Sequence, residues 1–131
     1  MESSQRHQAR ERALSLLYEA ELKSELPSEV LAALPVVPDP YTVSLLHEVE
    51  GRKGEIDGLI DGAAIGWDIE RMAVVDRNVL RVAVAELLAE PDLPVAVILN
   101  EAVELATGYS TDESGRFVNG VLATLATSIR G

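Results

Sequence analysis

The sequence predicts an all-α fold of about seven helices, and three observations carry that prediction. Apolar residues recur at helical spacing along most of the chain, and no segment shows strand-like alternation. Composition points the same way: 47% of the 131 residues are hydrophobic but only 4% are aromatic, so Leu, Val, Ile and Ala must build the core. Abundant Ala and Leu favour helix, and scarce aromatics argue against sheet. The length is that of one domain, 1–131, able to bury a core without covalent staples.

The first helix is expected from about Gln5 to Lys23, with Ala9, Ala13, Leu16, Leu17 and Ala20 on its apolar face. Pro27, Pro35, Pro38 and Pro40 punctuate the next stretch, where Ser28 to Leu34 reads as a short helix and the remainder as linker. A third helix is expected over Val43 to Ile65, interrupted by Gly51 and Gly54, where a bend is anticipated. Trp67 and Ile69 to Met72 suggest a short turn of helix. Val75 to Glu90 is apolar on most sides, as a central buried helix should be. Pro94 suits the first position of the following helix, expected to run to about Thr107 and stop at Gly108. Ser110 and Glu113 read as a capping box opening the last helix, whose stripe is Phe117, Val118, Val121, Leu122, Leu125 and Ile129. The break near Gly66 divides the helices into sets of about 1–65 and 67–131 that could pack as two small bundles.

Charge and composition exclude several classes. Without cysteine there are no disulfides and no thiolate metal sites, which fits a cytoplasmic protein. No apolar N-terminal stretch resembles a signal peptide, and the longest uncharged run, Phe117 to Ile129, is too short and polar to span a bilayer. The net charge of −11, from 22 acidic and 11 basic residues, is the wrong sign for an autonomous nucleic-acid binder. Either nucleic acid is not the ligand, or the basic groups are local and a basic partner supplies the rest.

Arg6, His7 and Arg10 fall within about a third of the circumference of the first helix, with Arg12 pointing elsewhere. Leu14 and Tyr18 continue from His7 away from the Ala9–Ala13–Ala20 face. A cationic strip ending in an exposed aromatic can hold a phosphate backbone and stack a base; from these residues alone, because three cations are few, a solvated helix end with ordinary surface arginines is the preferred reading. Arg77 and Arg81 lie four apart beside Asp76, and bridges to acids of a neighbouring helix are the competing reading. Arg116, three residues after Glu113, is either a surface ion pair or a phosphate contact. Asn119 and Gly120 interrupt the last helix and are read as a packing device, the glycine admitting a close helix. His7 and His47 sit in no metal-binding spacing, there is no glycine-rich phosphate loop, and Glu101 with Glu104 reads as a solvated face. No catalytic constellation and no cofactor site is expected.

Two segments carry a wider resemblance: VILNEAVELA at residues 97–106 and RFVNGVL at 116–122, where polar residues interrupt apolar helix faces. Together with ARERAL at 9–14, LYE at 17–19, VLRVA at 79–83 and ELL at 86–88, they resemble the NusB family of RNA-binding antitermination factors. The segment before Ala9 departs from the family pattern, with His7 and Gln8 where arginine is frequent. The resemblance implies two packed helical sub-bundles. It also implies binding of boxA-type RNA in nascent transcripts as a heterodimer with the ribosomal small-subunit protein NusE, within an RNA polymerase elongation complex. The RNA contacts so implied are Arg6, His7, Arg10, Arg77 and Arg116, and the partner contacts Tyr18, Asp76 and Glu113. A basic ribosomal partner would supply the charge this acidic chain lacks, and a homodimer hiding the RNA strip is an alternative free state. Two rival readings are the helical RNA-binding module of a ribosomal RNA cytosine methyltransferase and a protein–protein adapter with no RNA role. The length leaves no room for a methyltransferase domain, and no cofactor-binding glycine motif is present.

Overall fold

A computed structural model describes residues 3–131 and contains seven α-helices, with no strand among the described residues. α1 spans Ser3–Lys23, α2 Pro27–Ala32, α3 Pro40–Gly51 and α4 Lys53–Ala63. A 3₁₀ turn at Ile69–Arg71 leads into α5 (Val74–Ala89), α6 (Val95–Tyr109) and α7 (Asp112–Arg130). No described helix is long and apolar enough to cross a membrane.

Local chemistry sets most of the boundaries. α1 ends where Ser24 turns left-handed at φ 53°, which lets Glu25 N–H donate to Ala20 O at 2.9 Å. Pro27 opens α2, and Glu29 reaches back to accept the Leu26 N–H at 2.7 Å. Asp39 caps α3 by accepting from Tyr41 N at 2.8 Å. The expected single helix over 43–65 is in fact two. Arg52, at φ −114° and ψ 22°, leaves helical geometry between Gly51 and Gly54, both poor helix formers. Gly66, at φ 84°, makes the break before the 3₁₀ turn.

The expected boundaries of α6 and α7 shift. Pro94 is the N-cap of α6 rather than its first residue, and the helix runs through Gly108 to Tyr109, with Ser110 as C-cap. One glycine costs about 1 kcal/mol inside a helix, too little to end it here. Thr111, not Ser110, caps α7: its Oγ1 accepts from Ser114 N at 3.0 Å. Asp112 and Glu113 then fall in the first turn, where negative charge complements the helix dipole.

α5 is the central element and packs against α1, α3, α4, α6 and α7. Its buried residues include Val79, Leu80, Val82, Ala83, Val84, Ala85 and Leu87, covering most of its circumference. α1, α2 and α3 pack on one another, while α4 contacts α5 and α7 as well as α3. At the far end of α7, Arg130 donates to the carbonyls of Glu86, Leu87, Glu90 and Leu93. It thereby satisfies acceptors that the C-terminus of α5 leaves open.

Candidate functional site

The first turns of α1 do not form the expected open cationic strip. Arg10 faces inward and is 2% exposed. Its Nε donates to both oxygens of Glu86 at 3.1 and 2.9 Å, and its Nη1 to Glu101 at 3.0 Å. The Tyr41 hydroxyl also donates to Glu86. Burial pushes the Glu86 carboxyl up against the pull of Arg10, and burial with the neighbouring Glu86 pushes the Tyr41 hydroxyl up as well. Arg6 lays its guanidinium over the Tyr41 ring, 3.9 Å from the centroid, and its buried Nε has no acceptor among the described residues.

His7 is half-buried at the edge of this network. Its Nδ1 lies 2.9 Å from Glu101, while its Nε2 lies 3.8 Å from Glu11 and 3.9 Å from Glu104. The Glu101 hydrogen bond raises the imidazole pKa above its usual 6.5, against a smaller opposing effect of burial. His7, Glu101 and Glu104 each bring one ligand atom within 4.8 Å of the others. Glu101 already accepts from both His7 and Arg10, so the cluster functions as a hydrogen-bonded ion network. Leu14 also corrects the strip: it is buried at 4% exposure, and only Tyr18 stays open. The helical-wheel separation holds, but the facing elements α3, α5 and α6 wrap around more of α1 than an apolar stripe predicts.

Arg77 and Arg81 adopt the ion-bridge arrangement. Arg77 Nε donates to Glu21 Oε1 at 2.9 Å, and its Nη1 to the carbonyl of Met72 at 3.0 Å. Arg81 grips Asp57 with two bonds of 2.9 and 3.1 Å and reaches Glu21 at 2.7 Å. Burial pushes the Glu21 carboxyl up, but hydrogen bonds from the two arginines outweigh it and hold it below the usual range.

Two of the three expected partner contacts converge. Asp76 on α5 and Glu113 on α7 line one cleft of about 280 Å³ with Trp67, Met72 and Phe117. Asp76 is 9% exposed, and its Oδ1 has no hydrogen-bond partner among the described residues. Trp67 stands 52% exposed and meets Phe117 edge-on, the ring centroids 6.1 Å apart. Phe117 is therefore half-buried at the rim of a cleft, not deep in the core. Tyr18 opens onto the adjoining cleft with Val74, Val75 and Tyr109, so the first turn of α5 is the ridge between Tyr18 and Asp76.

Arg116 is exposed and lies in a third depression, between α6 and α7, with Asn100 and Asn119. Asn119 and Gly120 are both exposed, and a Cβ on Gly120 would meet nothing within 4 Å. The close helix approach expected at Gly120 occurs instead at Gly115, where a Cβ would lie 2.3 Å from Thr107 Oγ1. Sequence reasoning missed Gly115 and Glu86. The signal for Glu86 was a lone carboxylate within an apolar helix, which cannot be buried unpaired.

Comparison with known proteins gives these sites a context. The NusB family model matches residues 7–127. The chain is similar to the transcription antitermination protein NusB of Acidothermus cellulolyticus, 48% identical over 124 residues that cover 92% of this chain and 86% of the relative. In structure it is similar to T. maritima NusB, with a TM-score of 0.84 and 33% identity, covering 97% of this chain and 93% of that one. A crystal structure of antitermination factors NusB and NusE in complex with dsRNA matches with a TM-score of 0.82 and 28% identity, covering 97% and 99%.

Proposed function

The chain belongs to the NusB family, and from that premise we propose that it is a transcription antitermination factor. It binds boxA-type RNA of nascent transcripts together with the ribosomal small-subunit protein NusE, within the transcribing RNA polymerase complex. The structural similarity to NusB bound to NusE and dsRNA supports this reading. The observation that carries it is the acid-lined cleft between α5 and α7.

In that cleft Asp76 presents a carboxylate oxygen that is buried without a donor, next to Glu113 and the exposed Trp67. An unpaired buried carboxylate is costly, and a lysine or arginine of a basic ribosomal protein supplies the missing donor. Trp67 and Phe117 add apolar area beside the charges, the combination that concentrates binding energy at an interface. Tyr18 extends the same surface across the first turn of α5. A partner docked here neutralises acid on a chain whose net charge is −11 and extends the cationic track for RNA.

Among the proposed RNA contacts, Arg6 and Arg116 carry guanidinium groups with no ion pair among the described residues, whereas His7 is half-buried among Glu11, Glu101 and Glu104. Arg10 and Arg77 serve the site from within, by fixing α1 against α5. The protein acts as an adapter in the cytoplasm, and no step in this role requires turnover or a cofactor.

The test is titration of purified NusE into the protein, followed calorimetrically. A one-to-one complex is expected, weakened at least tenfold by Asp76→Asn, which removes the charge at nearly constant volume, while Tm stays close to that of the parent. Absence of complex formation, or an Asp76→Asn variant that binds as tightly as the parent, contradicts the assignment of this cleft.

A further inference from the structure

The groove between α6 and α7 is left unused by the partner cleft and by the cations of α1. It measures about 380 Å³, and Asn100 and Thr107 of α6 face Asp112, Arg116 and Asn119 of α7 across it. All five are exposed. Among the described residues, the side chains of Asn100, Arg116 and Asn119 enter no hydrogen bond or ion pair with the rest of the chain. A solvated helix face scatters its polar groups. Here two amides and a guanidinium from two helices converge on one depression. At its floor Gly115 lies against α6, where a Cβ would meet the Thr107 hydroxyl and pack on Val103.

We propose that this groove is a base-reading subsite for single-stranded RNA: Asn100 and Asn119 hydrogen-bond the edge of one unstacked base, and Arg116 holds the adjoining phosphate. The inference rests on the RNA-binding reading above and adds to it the residues that read sequence. A carboxamide carries a donor and an acceptor side by side, which matches the paired heteroatoms on a base edge. Single-stranded RNA offers such edges because its bases splay out of the stack. A guanidinium matches phosphate geometry. Position along the fold agrees with this. Val97, Asn100, Glu104 and Thr107 follow one another at helical spacing along α6. Val97 lines the depression that holds Arg6, and Asn100 the one that holds Arg116. A strand laid along α6 therefore passes from Arg6, whose depression also holds Glu90, Asp92 and Glu101, to Arg116, which shares its own with Asp112. A protein ligand is the poorer fit, since Val103 is the one large apolar side chain lining the groove.

The experiment uses the complex with NusE and two fluorescent RNA oligomers, one carrying boxA and one scrambled to the same composition. Asn100→Ala and Asn119→Ala are each expected to lower the preference for boxA over the scrambled oligomer about tenfold, the scale of a lost bidentate base contact. Their Tm should not move, because both side chains are exposed. Arg116→Ala should weaken both oligomers by a similar factor and reduce the salt slope by about 0.7. Wild-type preference in both asparagine variants overturns the subsite, and so does loss of NusE binding with RNA preference intact, which would make the groove a protein contact. If the unmodified complex prefers neither oligomer, the RNA-binding reading itself fails, a result distinct from insensitive variants of a complex that does prefer boxA.

Discussion

Arg10 and Glu86, 76 residues apart in sequence, meet as a bidentate ion pair in the interior, their side chains 3% and 2% exposed. The pair joins α1 to the central helix at the level of Tyr41, whose hydroxyl completes the coordination of the carboxylate. It also explains why a charged residue stands within the otherwise apolar run of α5.

Removing one partner leaves the other charge buried and unpaired. Arg10→Ala or Glu86→Ala should each cost about 3–5 kcal/mol of stability, measured by urea denaturation. Replacing the pair together, Arg10→Met with Glu86→Leu, should recover most of that loss. If Arg10→Ala instead leaves stability unchanged and reduces RNA affinity, Arg10 is a phosphate contact after all.

His7 gives stability a pH dependence. Its folded pKa lies above the unfolded value of 6.5 because Glu101, with Glu11 and Glu104 nearby, favours the imidazolium. The stabilisation is therefore complete below pH 6.5 and is lost as pH rises through the folded value. His7→Gln should narrow its stability deficit relative to the parent as pH rises from about 5.5 to 8.5. A deficit independent of pH would show that the ion cluster adds nothing to folding.

Two positions on α7 should respond differently to truncation. Leu122, fully buried, should cost about 2–5 kcal/mol as Leu122→Ala, whereas half-buried Phe117→Ala should cost less than the roughly 3 kcal/mol typical of a core phenylalanine. Phe117→Ala should nevertheless weaken NusE binding, because it removes the support under Trp67. Thermal denaturation beside calorimetric titration separates the two effects.

Arg130 is predicted to hold the C-terminus of α5. Arg130→Met removes a charged donor from four backbone carbonyls and should cost about 1.5–3 kcal/mol. Hydrogen exchange should quicken at amides of the last turn of α5; unchanged protection there would assign the carbonyls to solvent.

The helices were legible in the sequence because their apolar stripes are long and periodic. α5 stood out through its all-round apolarity, and α1 and α7 through faces that the structure buries. Element ends were harder: Arg52 breaks a helix that the apolar stripe continues through, and Ser110 rather than Gly108 ends α6. The site was legible as residue types but not as pairings. Arg6, His7 and Arg10 do share a sector of α1, yet whether that sector faces solvent depends on Tyr41, Glu86 and Glu101, which arrive from α3, α5 and α6. No local periodicity encodes such contacts. Asp76 and Glu113 meet for the same reason, through packing of α5 on α7, and only the family resemblance pointed to them.

This acidic chain is proposed to read RNA with the help of a basic partner. At a net charge of −11, with Arg10 buried and His7 among three glutamates, the free protein opposes a polyanion over a Debye length of about 8 Å. Isothermal titration of boxA RNA into the free protein and into its NusE complex, at one salt concentration, tests this directly. Weak binding to the free protein and substantially tighter binding to the complex are expected, with RNA tightening NusE binding by the same factor. Equal affinities, or a strong and salt-steep affinity of the free protein, would contradict it.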